Sequence, residues 1–129
     1  MSSTARRTAL VTGAATGIGR ATAIDLARHG HDVAMADLPR IGLGEIAAGG
    51  EAVGARMLSV ALDLRSLASI EASIEAAVAG LGGLDVLVND AGTQLRGPAV
   101  GIDWDDWDRL MAVNLKGHVL PVDGGLLAV

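Results

Sequence analysis

Short runs of aliphatic and β-branched residues alternate along the chain with stretches whose apolar positions recur at helical spacing. That alternation is the pattern of a parallel α/β sheet. The first run, Thr8 to Thr12, reads as a strand. A helix is predicted from about Ile18 to His29, where Gly19, Ala23, Leu26, Ala27 and Gly30 fall on one stripe. A second strand, Asp32 to Asp37, ends at Leu38-Pro39, and a weak, glycine-interrupted helix follows over Ile41 to Ala48. The third strand covers roughly Ala55 to Leu62. In the helix after it, Leu67, Ile70, Ile74, Ala77, Val78 and Leu81 share a face, and Ser66 stands where an N-cap belongs. The fourth strand, Leu84 to Asn89, carries Val86, Leu87 and Val88, apolar on both faces as in the interior of a parallel sheet. Beyond Gly97-Pro98, a helix capped near Asp103 is expected to turn Trp107, Leu110, Met111 and Asn114 inward. After Gly117 the pattern changes to a short strand-like piece with a turn, from His118 to Gly125.

Composition narrows the class without altering this outline. Half of the chain is apolar, enough for a core, and 129 residues make one domain spanning 1–129. With no cysteine, disulfides, thiolate catalysis and cysteine-ligated metals are excluded, and His29, His31 and His118 are too scattered for a ligand set. The formal net charge of −5 argues against a nucleic-acid partner, whose phosphates need a basic face. Arg6 and Arg7 precede an apolar run, but it breaks at Thr12-Gly13, too early for a secretory signal. No stretch approaches the length of a membrane span, so the expectation is a cytoplasmic protein that engages no membrane.

Candidate chemistry lies between the first strand and the first helix, where Thr12, Gly13, Thr16, Gly17, Ile18, Gly19 and Arg20 form a glycine-rich turn. Gly13 permits a tight exit from the strand, Gly17 lets backbone N–H groups approach a pyrophosphate, and Gly19 allows close helix–sheet packing. The helix start beyond them offers unpaired donors and partial positive charge to phosphates. The same glycines would also serve a tight turn that binds nothing. Their spacing is TGxxxGxG rather than GxGxxG, and with it the chain resembles the short-chain dehydrogenase/reductase family.

That resemblance implies a Rossmann-type fold: a doubly wound parallel sheet, truncated, in strand order 3-2-1-4, with a dinucleotide held at the switch point between strands one and four. The cofactor-binding residues it implies are Gly13, Thr16, Gly17, Ile18, Gly19, Asp37, Asp63, Leu64, Asn89, Ala91 and Gly92. Asp37 closes the second strand, where a carboxylate hydrogen-bonds the adenosine ribose hydroxyls and repels a 2′-phosphate. Thr16 is not basic, so both residues favour NAD over NADP. Asp63-Leu64 matches the family's adenine-edge contact, and Asn89 to Gly92 its Asn-Asn-Ala-Gly segment, with Asp90 in place of the second asparagine. That substitution adds negative charge near the crevice. Asp85 reads either as support for the crevice or as a strand-entry residue.

Val113 to Gly117 resembles the segment carrying the family's active-site asparagine, which makes Asn114 the catalytic candidate. Hydride transfer between NAD(H) and an alcohol or carbonyl further needs, in this family, a tyrosine acid/base, a lysine four residues after it and a carbonyl-polarising serine. The sequence has no tyrosine, its sole lysine is Lys116, and its last serine is Ser73, so Asn114 stands without those partners. Residues 119–125 resemble the family's last strand. The chain thus reads as two family segments joined at 117–118, with on the order of 60 to 120 residues absent between them at about 30 per strand–crossover–strand unit. The expectation is an oxidoreductase-type NAD site without turnover; the alternative is a non-enzymatic NAD or ADP-ribose-binding module, or an unstable fragment. Strand four, shaped for an interior place, would present an open edge. Residues 119–122, with Pro121, are a candidate edge strand there, and the same edge is a candidate route to a homo-oligomer.

Overall fold

The structure, a computed structural model, describes residues 6–39, 43–94 and 96–117. Strands β1 (Arg7–Thr12), β2 (His31–Asp37), β3 (Met57–Ala61) and β4 (Val86–Val88) form one parallel sheet in the order β3-β2-β1-β4. Helices α1 (Gly17–Arg28), α2 (Leu43–Glu51) and α3 (Leu67–Leu81) supply the crossovers, and α4 (Trp104–Met111) follows β4. The strand order read from the sequence is the one that forms.

Alternation along the strands sends successive residues to two cores. Val11, Val33 and Met35 pack with Ala23 and Ala27 of α1 and Ile46 of α2. Leu10, Ala34, Ala36 and Val60 pack on the opposite face with Ile70, Ala77 and Leu81 of α3. Leu10, Met35, Ile46 and Ile70 are among the largest fully buried side chains, each contributing about 1.5–3 kcal/mol by burial. Small residues decide how close α1 comes: its buried positions are Gly19, Ala23 and Ala27. Ser66 caps α3 as the sequence predicts, its side chain accepting from Ser69 N at 3.2 Å.

At the amino ends of the strands a buried carboxylate gathers three of them. Asp32 accepts from Arg6 Nε at 2.9 Å, Arg56 N at 2.8 Å and Arg56 Nε at 3.1 Å. Arg6 also donates to the carbonyls of Ala27 and His31, and Arg56 to that of Leu81, so the ends of α1 and α3 join the same knot. Burial pushes the Asp32 carboxyl upward, but hydrogen bonds from Arg56 and Arg6 outweigh it and hold the group below its usual range.

Three expectations are adjusted. The second helix runs over Leu43–Glu51, carrying on through Gly49 and Gly50; residues 41 and 42 lie outside those described. The fourth strand is only Val86–Val88, and Asp85 sits before it, accepting from Thr8 N at 2.9 Å and donating its own N–H to Thr8 O at 3.0 Å. Asp85 is therefore a strand-entry residue at the end of β1 remote from Thr12. The inward stripe of α4 is only partly covered: Leu110 and Met111 are half-buried, no residue of the helix is fully buried, and Trp107 is 40% exposed and Trp104 76%. Amphipathic spacing fixes which face is apolar, not whether a surface is there to receive it. The supposed last strand at 119–125, and the far side of the junction at 117–118, lie outside the described residues.

Candidate functional site

The carboxyl ends of β1, β2 and β3 and the loop after β4 surround a crevice of about 440 Å³, within the range of small-molecule sites, about 300–1,000 Å³. Gly13, Thr16, Asp37, Asp63, Leu64, Ala91 and Gly92 line it. Gly17, Ile18 and Gly19 form the adjoining start of α1, while Asn89 and Asn114 do not contribute to the walls.

The turn owes its shape to glycine at two positive-φ positions. Gly13 has φ 68°, and a Cβ there would lie 2.8 Å from Ala91 Cα, so the turn rests directly on the loop after β4. Gly17 has φ 59° and opens on free space. At Gly19 a Cβ would overlap the Gly13 carbonyl and approach Asp90 Oδ2 to 2.8 Å. The role of Gly19 is thereby sharpened: its missing side chain makes room for the turn folding back on itself more than for the sheet. Thr16, the N-cap of α1, is extended and makes no side-chain capping bond, which leaves the first-turn N–H groups to another acceptor.

Asp37 is nearly buried and bound on both oxygens, Oδ2 accepting from Ala15 N at 3.0 Å and Oδ1 from Leu38 N at 2.8 Å. It thus stitches the glycine turn to β2 from within the crevice wall. Sequence reasoning missed Thr12 as a determinant of this geometry. Its buried Oγ1 accepts from Asp90 N at 3.0 Å and Ala91 N at 3.1 Å and lies 3.4 Å from Val88 O, joining the ends of β1 and β4. A hydroxyl ending an otherwise apolar strand was the available signal.

Asn89 follows β4 with its Oδ1 buried and without a hydrogen-bond partner among the described residues. Asn114 lies on a π-helical turn, Ala112–Lys116, that continues α4. Its Oδ1 accepts from Thr93 N and its Nδ2 donates to Thr93 O, both at 2.8 Å, so the side chain pins the loop beyond Gly92. Gly117 packs on Leu64, where an added Cβ would come within 2.7 Å of Leu64 Cβ.

Three carboxylates, Asp37, Asp63 and Asp90, share the crevice with two guanidinium groups, Arg65 and Arg109, which the sequence reading did not anticipate. Asp63 Oδ1 accepts from Arg65 N at 3.0 Å and Nε at 3.2 Å, and Oδ2 accepts from Nη2 at 3.2 Å. These side-chain and backbone hydrogen bonds hold the Asp63 carboxyl below its usual range despite partial desolvation. Among the described residues no group of three or more histidine, cysteine or acidic side chains is placed to hold a metal, and no helix is long and apolar enough to cross a membrane.

Known proteins share this fold. The short chain dehydrogenase family model matches residues 7–126. A hydroxyacyl-CoA dehydrogenase of Mycobacterium tuberculosis is 40% identical over 119 residues, which are 88% of this chain and 37% of the relative. A 3-oxoacyl-[acyl-carrier protein] reductase of Brucella melitensis, solved in complex with NAD, superposes with TM-score 0.86 at 32% identity, covering 95% of this chain and 48% of that one. A blue fluorescent protein from a metagenomic library, solved with NADPH, gives TM-score 0.87 at 30% identity over 95% of this chain and 51% of its own. The chain spans about half the length of such relatives or less. On the match across nearly its whole length, the chain belongs to the short-chain dehydrogenase family.

Proposed function

We propose that this chain binds an adenine dinucleotide at the carboxyl ends of β1 and β2, taking NAD in preference to NADP, and transfers no hydride by itself. The glycine turn carries the binding half of the reading. Gly13 rests on Ala91, Gly17 opens on free space, and the uncapped start of α1 directs N–H groups to where a pyrophosphate would lie. Asp37 would take the ribose hydroxyls, and Asp63 with Leu64 the adenine edge, as family resemblance suggests. A bound nicotinamide would supply the hydride-accepting ring; the residues of this chain only bind and orient the adenosine half.

The cofactor preference rests on Asp37. Its carboxylate accepts from a 2′-hydroxyl and repels a 2′-phosphate, and the structural neighbours hold NAD in one case and NADPH in the other, so the shared fold leaves the choice to such residues. The absence of turnover rests on the missing tyrosine, since Asn114 is occupied with Thr93 and Lys116 is the sole lysine. Titration calorimetry with NAD, NADP and ADP-ribose tests the reading. NAD and ADP-ribose binding more tightly than NADP, with Asp37→Ala narrowing the gap, is the expected result. No binding at millimolar ligand, or tighter binding of NADP by the unaltered chain, would overturn it, and so would NADH formation from alcohol or sugar substrates. We also propose that the outer edge of β4, unpaired among the described residues, lets two copies associate; sedimentation showing only monomer across a wide concentration range would refute this.

A further inference from the structure

We propose that Arg65 is a positioning residue that fixes the Asp63 carboxylate to accept the exocyclic amine of adenine, so that the crevice selects 6-aminopurine over 6-oxopurine dinucleotides; the proposal rests on the dinucleotide reading above. Arg65 places three donors on one carboxylate: its backbone N and Nε on Oδ1, and Nη2 on Oδ2. This is the planar fork that guanidinium makes and an ammonium cannot. It sets the plane of the carboxylate as well as its charge.

The backbone of this segment is held by other means. Asp63 N donates to Ser69 Oγ at 2.9 Å, Leu62 N donates to Asp37 O at 2.9 Å, and Leu64 is buried. What the Arg65 guanidinium adds is a hold on the second oxygen, Oδ2, of a side chain that is 35% exposed and that the Arg65 backbone N–H reaches only at Oδ1. An ionised carboxylate has about four acceptor positions. Arg65 uses three contacts and leaves capacity on Oδ2 in a wall of the crevice. Being acceptor-only, that oxygen can receive an N–H from a 6-amino group but meets the lone pairs of a 6-oxo group with repulsion.

The test compares binding of NAD and of nicotinamide hypoxanthine dinucleotide to the unaltered chain, R65A and R65K by calorimetry, with melting temperatures confirming that each variant folds. The unaltered chain is expected to prefer the adenine form by about tenfold, the worth of one hydrogen bond to a charged acceptor, and both variants to bring the ratio within about twofold. A tenfold ratio preserved in R65A overturns the proposal, as does NAD binding with a flat ratio in the unaltered chain. Equal losses for both dinucleotides in R65A, restored in R65K, would also overturn it by assigning Arg65 to phosphate charge. Failure of the unaltered chain to bind NAD at all would strike the dinucleotide reading instead, and this proposal with it.

Discussion

Replacing Thr12 by valine removes one hydroxyl from the junction of β1 and β4 while keeping the shape of the side chain. The residue is fully buried, and its Oγ1 is the acceptor for the N–H groups of Asp90 and Ala91 at 3.0 and 3.1 Å. The 3.4 Å approach to Val88 O is too long to add much. Both N–H groups are half-shielded, so losing their acceptor costs about 1–1.5 kcal/mol each, toward the lower end of the range for an unsatisfied buried donor, or about 2–3 kcal/mol together. Against a domain stability of about 5–15 kcal/mol that is a large fraction. With a urea dependence of about 1–3 kcal/mol per molar, the unfolding midpoint of T12V should fall by roughly 1–2 M. T12S keeps the oxygen and loses a methyl worth about 0.8 kcal/mol, so it should stay near the unaltered chain. The same loss frees the loop on which Gly13 rests, so NAD affinity should fall in T12V and not in T12S. Urea unfolding followed by circular dichroism and a parallel NAD titration decide the matter. T12V unfolding with the unaltered chain, or T12S falling as far as T12V, would show that the hydroxyl does not hold the switch point.

Asp90→Asn returns the family's residue to a position whose carboxylate overhangs Gly19 at the start of α1. Removing that like charge from beside a pyrophosphate is worth on the order of 1 kcal/mol at intermediate dielectric, so NAD should bind about fivefold tighter at low salt. Raising the salt should shrink the gain; unchanged affinity at low salt would exclude the electrostatic account. Asp32→Ala breaks the knot at the other end of the sheet, and because the Arg56 side chain is 62% exposed and can rehydrate, the cost should fall below the about 3–5 kcal/mol of a wholly buried pair. The Asp32 carboxyl is held below its usual range in the folded chain, so its contribution is fully present above its unfolded value near about pH 4 and is lost as pH falls through the lowered folded value. Acid unfolding of the unaltered chain should therefore steepen in that interval, and D32A should show a flatter acid limb; parallel acid limbs would contradict this.

The readable parts of the fold are those whose cause is local. Period-two apolar runs, the Ser66 cap and the TGxxxGxG turn each specify their own backbone, whereas helical crossovers allow more than one parallel strand order, and the order 3-2-1-4 was legible only through the family resemblance that the turn carries. The parts that escaped depend on partners far along the chain. Thr12 meets Asp90 and Ala91 across the sheet, Arg6 and Arg56 converge on Asp32 from just before β1 and β3, and Asn114 reaches Thr93 from a different element. Nothing within a few residues of any of them announces the pairing. The α4 stripe failed for a related reason: spacing shows that Trp107, Leu110 and Met111 share a face, whereas burial depends on whether other structure lies against it. Arg65 and Arg109 escaped because long side chains place their heads according to the carboxylates around them.

The site divides along β1. Toward β2 and β3, the groups assigned to adenosine are each braced by neighbours: Asp37 by Ala15 and Leu38, Asp63 by Arg65 and Ser69. Toward β4 the bracing thins. That strand is three residues long and half-buried, the Asn89 side-chain oxygen that follows it is buried without a donor among the described residues, and no residue of α4 is fully buried. An unsatisfied buried acceptor costs about 1–3 kcal/mol, so this side carries the penalties. Thr12, at the end of β1, ties the two regions together through Asp90 and Ala91, and Asn114 holds the same loop further on at Thr93. A ligand resting on Ala91 and Gly92 would therefore meet braced carboxylates on its adenosine side and, on its other side, a loop that Thr12 holds at Asp90 and Ala91 and Asn114 holds at Thr93. Stabilisation of the folded chain then rises with ligand concentration as binding linkage requires.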